Sequence, residues 1–207
     1  MSELLGQFAR EPVVMGVIAC CSLLSIAIII ERFYFYYKTR EDDEQLLLEV
    51  RSRAQSGDVE GAIRFCENRE SSIARTLKDV LISHKEKRKN YEKTVEDAIL
   101  REEPRLERFV GALAILANAG PLMGLLGTVI GIIHAFGAIG AGEGSVSANE
   151  LGRHIGLALW ATAFGLIVAI PSYICAQYFT NRNNAAYTAM RTAASHLINI
   201  LETGKEA

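Results

Sequence analysis

Three long stretches of this 207-residue sequence carry no formal charge. Asp, Glu, Lys and Arg are absent from Pro12 to Ile30, from Phe109 to Gly142 and from His154 to Asn181. Each stretch reaches or exceeds the roughly 18 to 20 apolar residues that cross a bilayer as a helix. Proline is also scarce, with four residues, of which Pro121 and Pro171 fall inside these runs. The four cysteines, Cys20, Cys21, Cys66 and Cys175, form no CxxC or CxxH spacing. They read as small apolar residues, which excludes a disulfide scaffold and leaves no metal site expected. Neither charge sign dominates: the net charge is −2, with no basic tail and no aromatic-basic patch, so nucleic acid is not an expected partner. No nucleophile–base pair or phosphate-binding glycine loop is present, which argues against an enzyme and against a bound cofactor.

Half of the residues are hydrophobic, yet 22% are charged, and mean hydropathy is still +0.16. The two classes must therefore be segregated. That excludes an ordinary soluble enzyme and a disordered chain. Uninterrupted runs also argue against a membrane β-barrel, whose strands alternate. The expected fold is all-α: a polytopic membrane protein with three transmembrane helices and one helical insert. The expected segments are an external N-terminus over 1–11, transmembrane helices over 12–37, 109–139 and 154–180, a cytoplasmic helical domain over 38–108, an external loop over 140–153 and a cytoplasmic C-terminal helix over 181–207.

Sidedness follows from cations. Arg10 alone precedes the first run, whereas Arg32, Lys38, Arg40, Arg51 and Arg53 follow it. Arg101, Arg105 and Arg108 precede the second run, Arg153 alone lies between the second and third, and Arg182 and Arg191 follow the third. The positive-inside bias puts the N-terminus outside and the C-terminus in the cytoplasm. The first run is expected to be retained rather than cleaved, because its n-region lacks a positive excess and no small-x-small pattern precedes Glu31. Phe33 to Tyr37 are five aromatic residues suited to the interface. Between the first two runs, apolar residues recur at helical spacing, among them Leu46, Val50, Ala62, Ile63, Leu77, Val80, Leu81, Val95, Ile99 and Leu106. Ser56-Gly57-Asp58 interrupts them, with Asp58 placed to cap a helix. The run His84 to Lys89 reads as a solvated face.

The second and third runs carry the chemistry. Gly120, Gly124, Gly127 and Gly131 recur at spacings of three and four, and so share one helix face. Ala158, Thr162, Gly165 and Ala169 form a matching small-residue face on the third. Bare faces let helices approach closely in lipid; where such a face lines a cavity, it exposes carbonyls. Pro121 and Pro171 should kink their helices towards the cytoplasmic end. Thr128 lies seven residues from Pro121, and Thr162 nine from Pro171. The two threonines are therefore expected at similar depth. A lone membrane threonine usually back-bonds to a carbonyl one turn earlier; two at one depth suggest a polar ring. His134 is the one imidazole of the second run, and it is expected near the outer end. It reads as interfacial, with Glu150, Arg153 and His154 as a charged outer mouth. With no acid or base at depth, any proton carrier must come from another polypeptide.

GPLMGLLGTVIGIIHAFGAIG (Gly120–Gly140) and ALWATAFGLIVAIPS (Ala158–Ser172) resemble the membrane blocks of the MotA, TolQ and ExbB proton channel family, in its three-span TolQ/ExbB branch. The resemblance implies a homopentameric ring in a bacterial inner membrane. It would surround a single-span partner similar to ExbD or TolR, whose Asp carries the proton, with a periplasm-spanning protein like TonB or TolA beyond. The family's pore threonines fall on Thr128 and Thr162, and its kink prolines on Pro121 and Pro171. Members commonly place a Glu five residues before the second threonine; here that position is Leu157. The expected function is a motor subunit that couples the proton motive force to transport, envelope maintenance or motility. A non-conducting scaffold of the same fold is the alternative, and Leu157 is the feature that favours it.

Overall fold

The structure is a computed structural model that describes residues 12–39, 43–88, 90–140 and 148–203. The N-terminal tail over 1–11, half of the 140–153 segment and the last four residues lie outside the described residues. Among the described residues every regular element is an α-helix. They are α1 (Pro12–Lys38), α2 (Asp43–Gln55), α3 (Val59–Glu67), α4 (Ser72–Lys85), α5 (Tyr91–Leu106), α6 (Val110–Gly140) and α7 (Ala148–Thr203). Three of these are long and apolar enough to cross a membrane, with spans Val14–Lys38, Val110–Gly137 and Leu151–Thr203. α7 starts within the segment read as outer loop and continues past residue 180 without a break. The third span and the C-terminal helix are therefore one element. Pro121 and Pro171 both lie inside helices that run through them.

The chain divides into two compact units, the first comprising residues 1–31 and 109–178. Its arrangement is that of a protein in lipid. Leu23, Ile30, Leu122, Ile133, Leu159 and Ile167 point outward, while Ala117, Ala135, Ala158, Ala161, Val168, Ala169 and Ala176 are buried. Lipid gives no hydrophobic reason to hide leucine, so helix contact rests on small residues and close van der Waals fit.

The second unit comprises residues 32–108 and 179–207. Its core is a conventional aqueous one, centred on Leu46, Val50, Leu77, Val80, Leu81 and Leu197. The turn at Ser56-Gly57-Asp58 needs its glycine, which adopts φ +78°. The Asp58 carboxylate then accepts from Gly61 N at 2.9 Å and caps α3. Ser71 caps α4 and Asn90 caps α5 in the same way. The charged run is solvent-exposed from Lys85 to Arg88 but does not lie on one helix. α4 ends at Lys85, Lys87 turns the chain at φ +56°, and His84 Nδ1 pairs with Tyr91 Oη at 2.8 Å.

Two buried polar arrangements hold this unit. Arg32 is 1% exposed; its Nη1 donates to the carbonyls of Arg105 and Leu106 at 3.3 and 3.4 Å, and its guanidinium lies over the Phe35 ring. It thereby places a cation on the negative end of α5. Glu102 receives a bidentate pair from Arg75, at 2.6 and 2.7 Å, and a bond from Ser72 Oγ at 3.0 Å. Burial pushes the Glu102 pKa up, but the Arg75 hydrogen bonds and charge, joined by Ser72, outweigh it and hold the carboxyl below its ordinary value.

Candidate functional site

The site is the seam between α6 and α7 in the first unit. A Cβ placed on Gly120 would stand 2.9 Å from both the Ala169 Cβ and the Gly165 carbonyl oxygen. On Gly124 it would meet Thr162 Cα at 2.8 Å, on Gly127 Ala161 Cβ at 2.5 Å, and on Gly131 Ala158 Cβ at 2.8 Å. On Gly165 it would stand 2.5 Å from the Gly120 carbonyl oxygen. Any side chain along this line would push the helices apart. The glycine face of α6 is thus filled by α7 of the same chain, in an antiparallel register.

That register fixes the threonines. Gly124 meets Thr162 and Gly127 meets Ala161, so Thr128 stands about two residues, roughly 3 Å, from the level of Thr162. Their hydroxyls are used differently. Thr128 Oγ1 donates back to Leu125 O at 2.7 Å. Thr162 Oγ1 donates across the seam to Gly124 O at 3.1 Å. Each hydroxyl has one proton, and in both cases a carbonyl holds it. What remains to offer is the acceptor side of the oxygen.

Leu157 turns into the same seam. With His154, Val14, Met15, Gly127 and Gly131 it lines a pocket of about 20 Å³, room for about one water. His134 is exposed in the C-terminal half of α6. Pro171 is exposed beside Ser172, a residue that sequence reasoning did not single out. Ser172 is fully buried; its Oγ donates to Val168 O at 2.6 Å and lies 2.6 Å from Ser25 Oγ. Because the Ser172 proton is on Val168 O, Ser25 donates to Ser172, and the pair ties α1 to α7. The only sequence signal for it was a hydroxyl next to a membrane proline, where freed carbonyls need partners.

Among the described residues no group of His, Cys, Asp or Glu could hold a metal. The α6–α7 seam thus combines small residues with two hydroxyls whose protons are held by carbonyls. The sequence profile of the MotA/TolQ/ExbB proton channel family matches residues 67–192, which include all of α4, α5 and α6 and most of α7. The chain belongs to this family. As a MotA/TolQ/ExbB member it is a membrane protein of a proton-channel family. It is 30% identical over 160 residues to a protein of Synechocystis sp. named as an ExbB-like biopolymer transport protein, covering 76% of each chain. It is 35% identical over 113 residues to the biopolymer transport protein ExbB of Xanthomonas campestris pv. campestris, covering 55% of this chain and 44% of that one. A third similarity, 42% over 65 residues, is to biopolymer transport protein exbB1 of Vibrio cholerae, covering 31% and 28%. The matched part thus spans less than half the length of the Xanthomonas relative.

Proposed function

We propose that this chain forms a homopentameric ring in the bacterial inner membrane and works with a single-span ExbD- or TolR-like protein that carries a membrane Asp. Proton flow through the ring would drive that partner, and through it a TonB- or TolA-like protein that crosses the periplasm. In this reading the N-terminus and the loop over 140–153 are periplasmic, and the second unit is cytoplasmic. Thr128 and Thr162 lie on the ion path. Gly120, Gly124, Gly127, Gly131, Ala158, Gly165 and Ala169 hold the hairpin that presents them, and Pro121 and Pro171 bend it.

One observation carries the proposal. The membrane stretches contain no Asp, Glu, Lys or Arg at depth, while two hydroxyls stand at nearly one level with their protons committed. Oxygens so arranged accept a hydrogen bond from a protonated carboxyl but cannot replace it as a carrier. The test is co-reconstitution in proteoliposomes with a single-span ExbD- or TolR-like protein from the same organism. Proton uptake should require both proteins and should fail when the partner's Asp becomes Asn. Uptake by this chain alone would overturn the reading. The scaffold reading rests on Leu157, an apolar residue at the family's acid position; an intact complex with no uptake would establish it.

A further inference from the structure

The second unit carries two grooves that the channel reading leaves unused. Both run beside the part of α7 that belongs to this unit. The first, about 860 Å³, is lined by Leu48, Arg51, Gln55, His196 and Ile200 among others. The second, about 800 Å³, is lined by Glu92, Glu96, Glu202 and Arg191, and it continues past Leu100 and Glu103. At 100° per residue, Ala193, His196 and Ile200 of the first groove centre nearly opposite Arg191, Ser195 and Glu202 of the second. Asn199 lines both. The grooves therefore flank a single ridge of α7.

Their chemistry is complementary. Among its described lining residues the first groove has one guanidinium, two histidines and no acid. The second sets three carboxylates against one guanidinium. Each also has an uncovered leucine. Apart from the aromatic belt Phe33, Tyr34 and Tyr37, Leu48 at 62% and Leu100 at 56% are the exposed large hydrophobics described in this unit. Leu48 lines the first groove and Leu100 the continuation of the second, so one contact between the two grooves would cover both.

We propose that these grooves are the two halves of one joint between neighbouring copies of this chain. The Leu48–Arg51 groove of one copy seats against the Leu100–Glu96 groove of the next. Because the halves differ, the contact is head-to-tail, the kind that closes as a ring when the rotation between copies allows it. A two-fold contact would instead set Arg51 against Arg51, or Glu96 against Glu96, and like charges oppose it. This joint rests on the ring reading above and adds the surface that builds the ring.

Disulfide trapping tests it. In a chain with Cys20, Cys21, Cys66 and Cys175 replaced, Leu48→Cys and Leu100→Cys together should give a ladder of covalent multimers on oxidation in membranes. Either single variant should stay monomeric on a denaturing gel. A dimer from a single variant would overturn the joint. So would the absence of a ladder while native mass spectrometry still finds a ring. A monomer by native mass spectrometry would overturn the ring and the joint together. The cysteine-intact chain provides a second measurement. Arg51→Glu should lower the ring fraction about tenfold, and adding Glu96→Arg should restore it. No loss from Arg51→Glu, or no recovery in the double exchange, would count against the joint.

Discussion

Thr162 gives its hydroxyl proton to the carbonyl of Gly124, across the seam and 38 residues back in the chain. The same carbonyl belongs to a residue where no side chain fits. Helix packing and hydroxyl orientation are therefore set by one contact. The oxygen of Thr162 faces any visitor as an acceptor, suited to a protonated carboxyl and not to a carboxylate.

Thr162→Val keeps the shape and removes this bond. An interhelical hydrogen bond in lipid is worth on the order of 1 kcal/mol, so assembly should survive. Proton uptake should fall well below wild type at equal membrane abundance, and Thr162→Ser should retain it. Thr128→Val should resemble Thr162→Val in uptake but lose less stability, because its bond lies within one helix. Uptake by the double Thr128→Val, Thr162→Val variant at the wild-type rate would remove both residues from the path.

The glycines should rank by what they meet. Gly165→Ala drives a Cβ against the backbone of Gly120 and Gly124, and overpacking of this kind costs about 1–3 kcal/mol or more. Gly127→Ala meets only the Ala161 side chain at its closest point and should cost less. Gly137→Ala meets open space and should be neutral. Thermal melting in detergent, read with membrane abundance, checks the order.

Glu102 makes the second unit acid-sensitive. Its folded pKa lies below the unfolded value near 4.5. The stabilisation is thus full above that value and is lost as pH falls through the folded one. Glu102→Gln should lower stability at neutral pH by about 1.5–3 kcal/mol, the range for a hydrogen bond to a charged group. It should also flatten the decline expected of the parent as pH falls below about 4.5. Denaturant midpoints of the full chain across that range would show both effects.

Cys66 is buried at 1% exposure, and burial, with Lys78 opposing and Glu67 assisting, pushes its thiol up to about 11. Two units above an ordinary thiol means thiolate reduced on the order of a hundredfold. Maleimide should leave Cys66 unmodified in the folded protein near neutral pH and label it fully in denaturant, as read by mass spectrometry.

Much of this architecture is legible in the sequence, for different reasons in the two units. Charge-free length marks the membrane helices because lipid tolerates no exposed charge there. The glycine spacing marks the α6 face because contact in lipid selects against volume. Asp58 was legible as a cap because the turn before it needs Gly57. Arg32 was not legible as a buried cap. In sequence it is one cation after an apolar run, and its partners Arg105 and Leu106 offer backbone carbonyls that any residue would offer. The Ser25–Ser172 pair was hidden because its members lie 147 positions apart. The direction of the Thr162 hydroxyl was hidden too, since a local carbonyl was the nearer prospect and register alone decides between them. Leu157 stood out as a departure, but only packing puts it against Gly127, Gly131 and His154.

The seam also has a mechanical consequence. With main chain against main chain at Gly120, Gly124 and Gly165, and alanine methyls nearest to Gly127 and Gly131, there is no layer of flexible side chains to shear. One helix cannot ratchet past the other by a turn, because each step would drive Ala161 or Ala169 into a neighbouring main chain. The α6–α7 hairpin therefore behaves as a stiff strut: a stroke must be taken up at its edges, by neighbours and by bending, and not by slip within it.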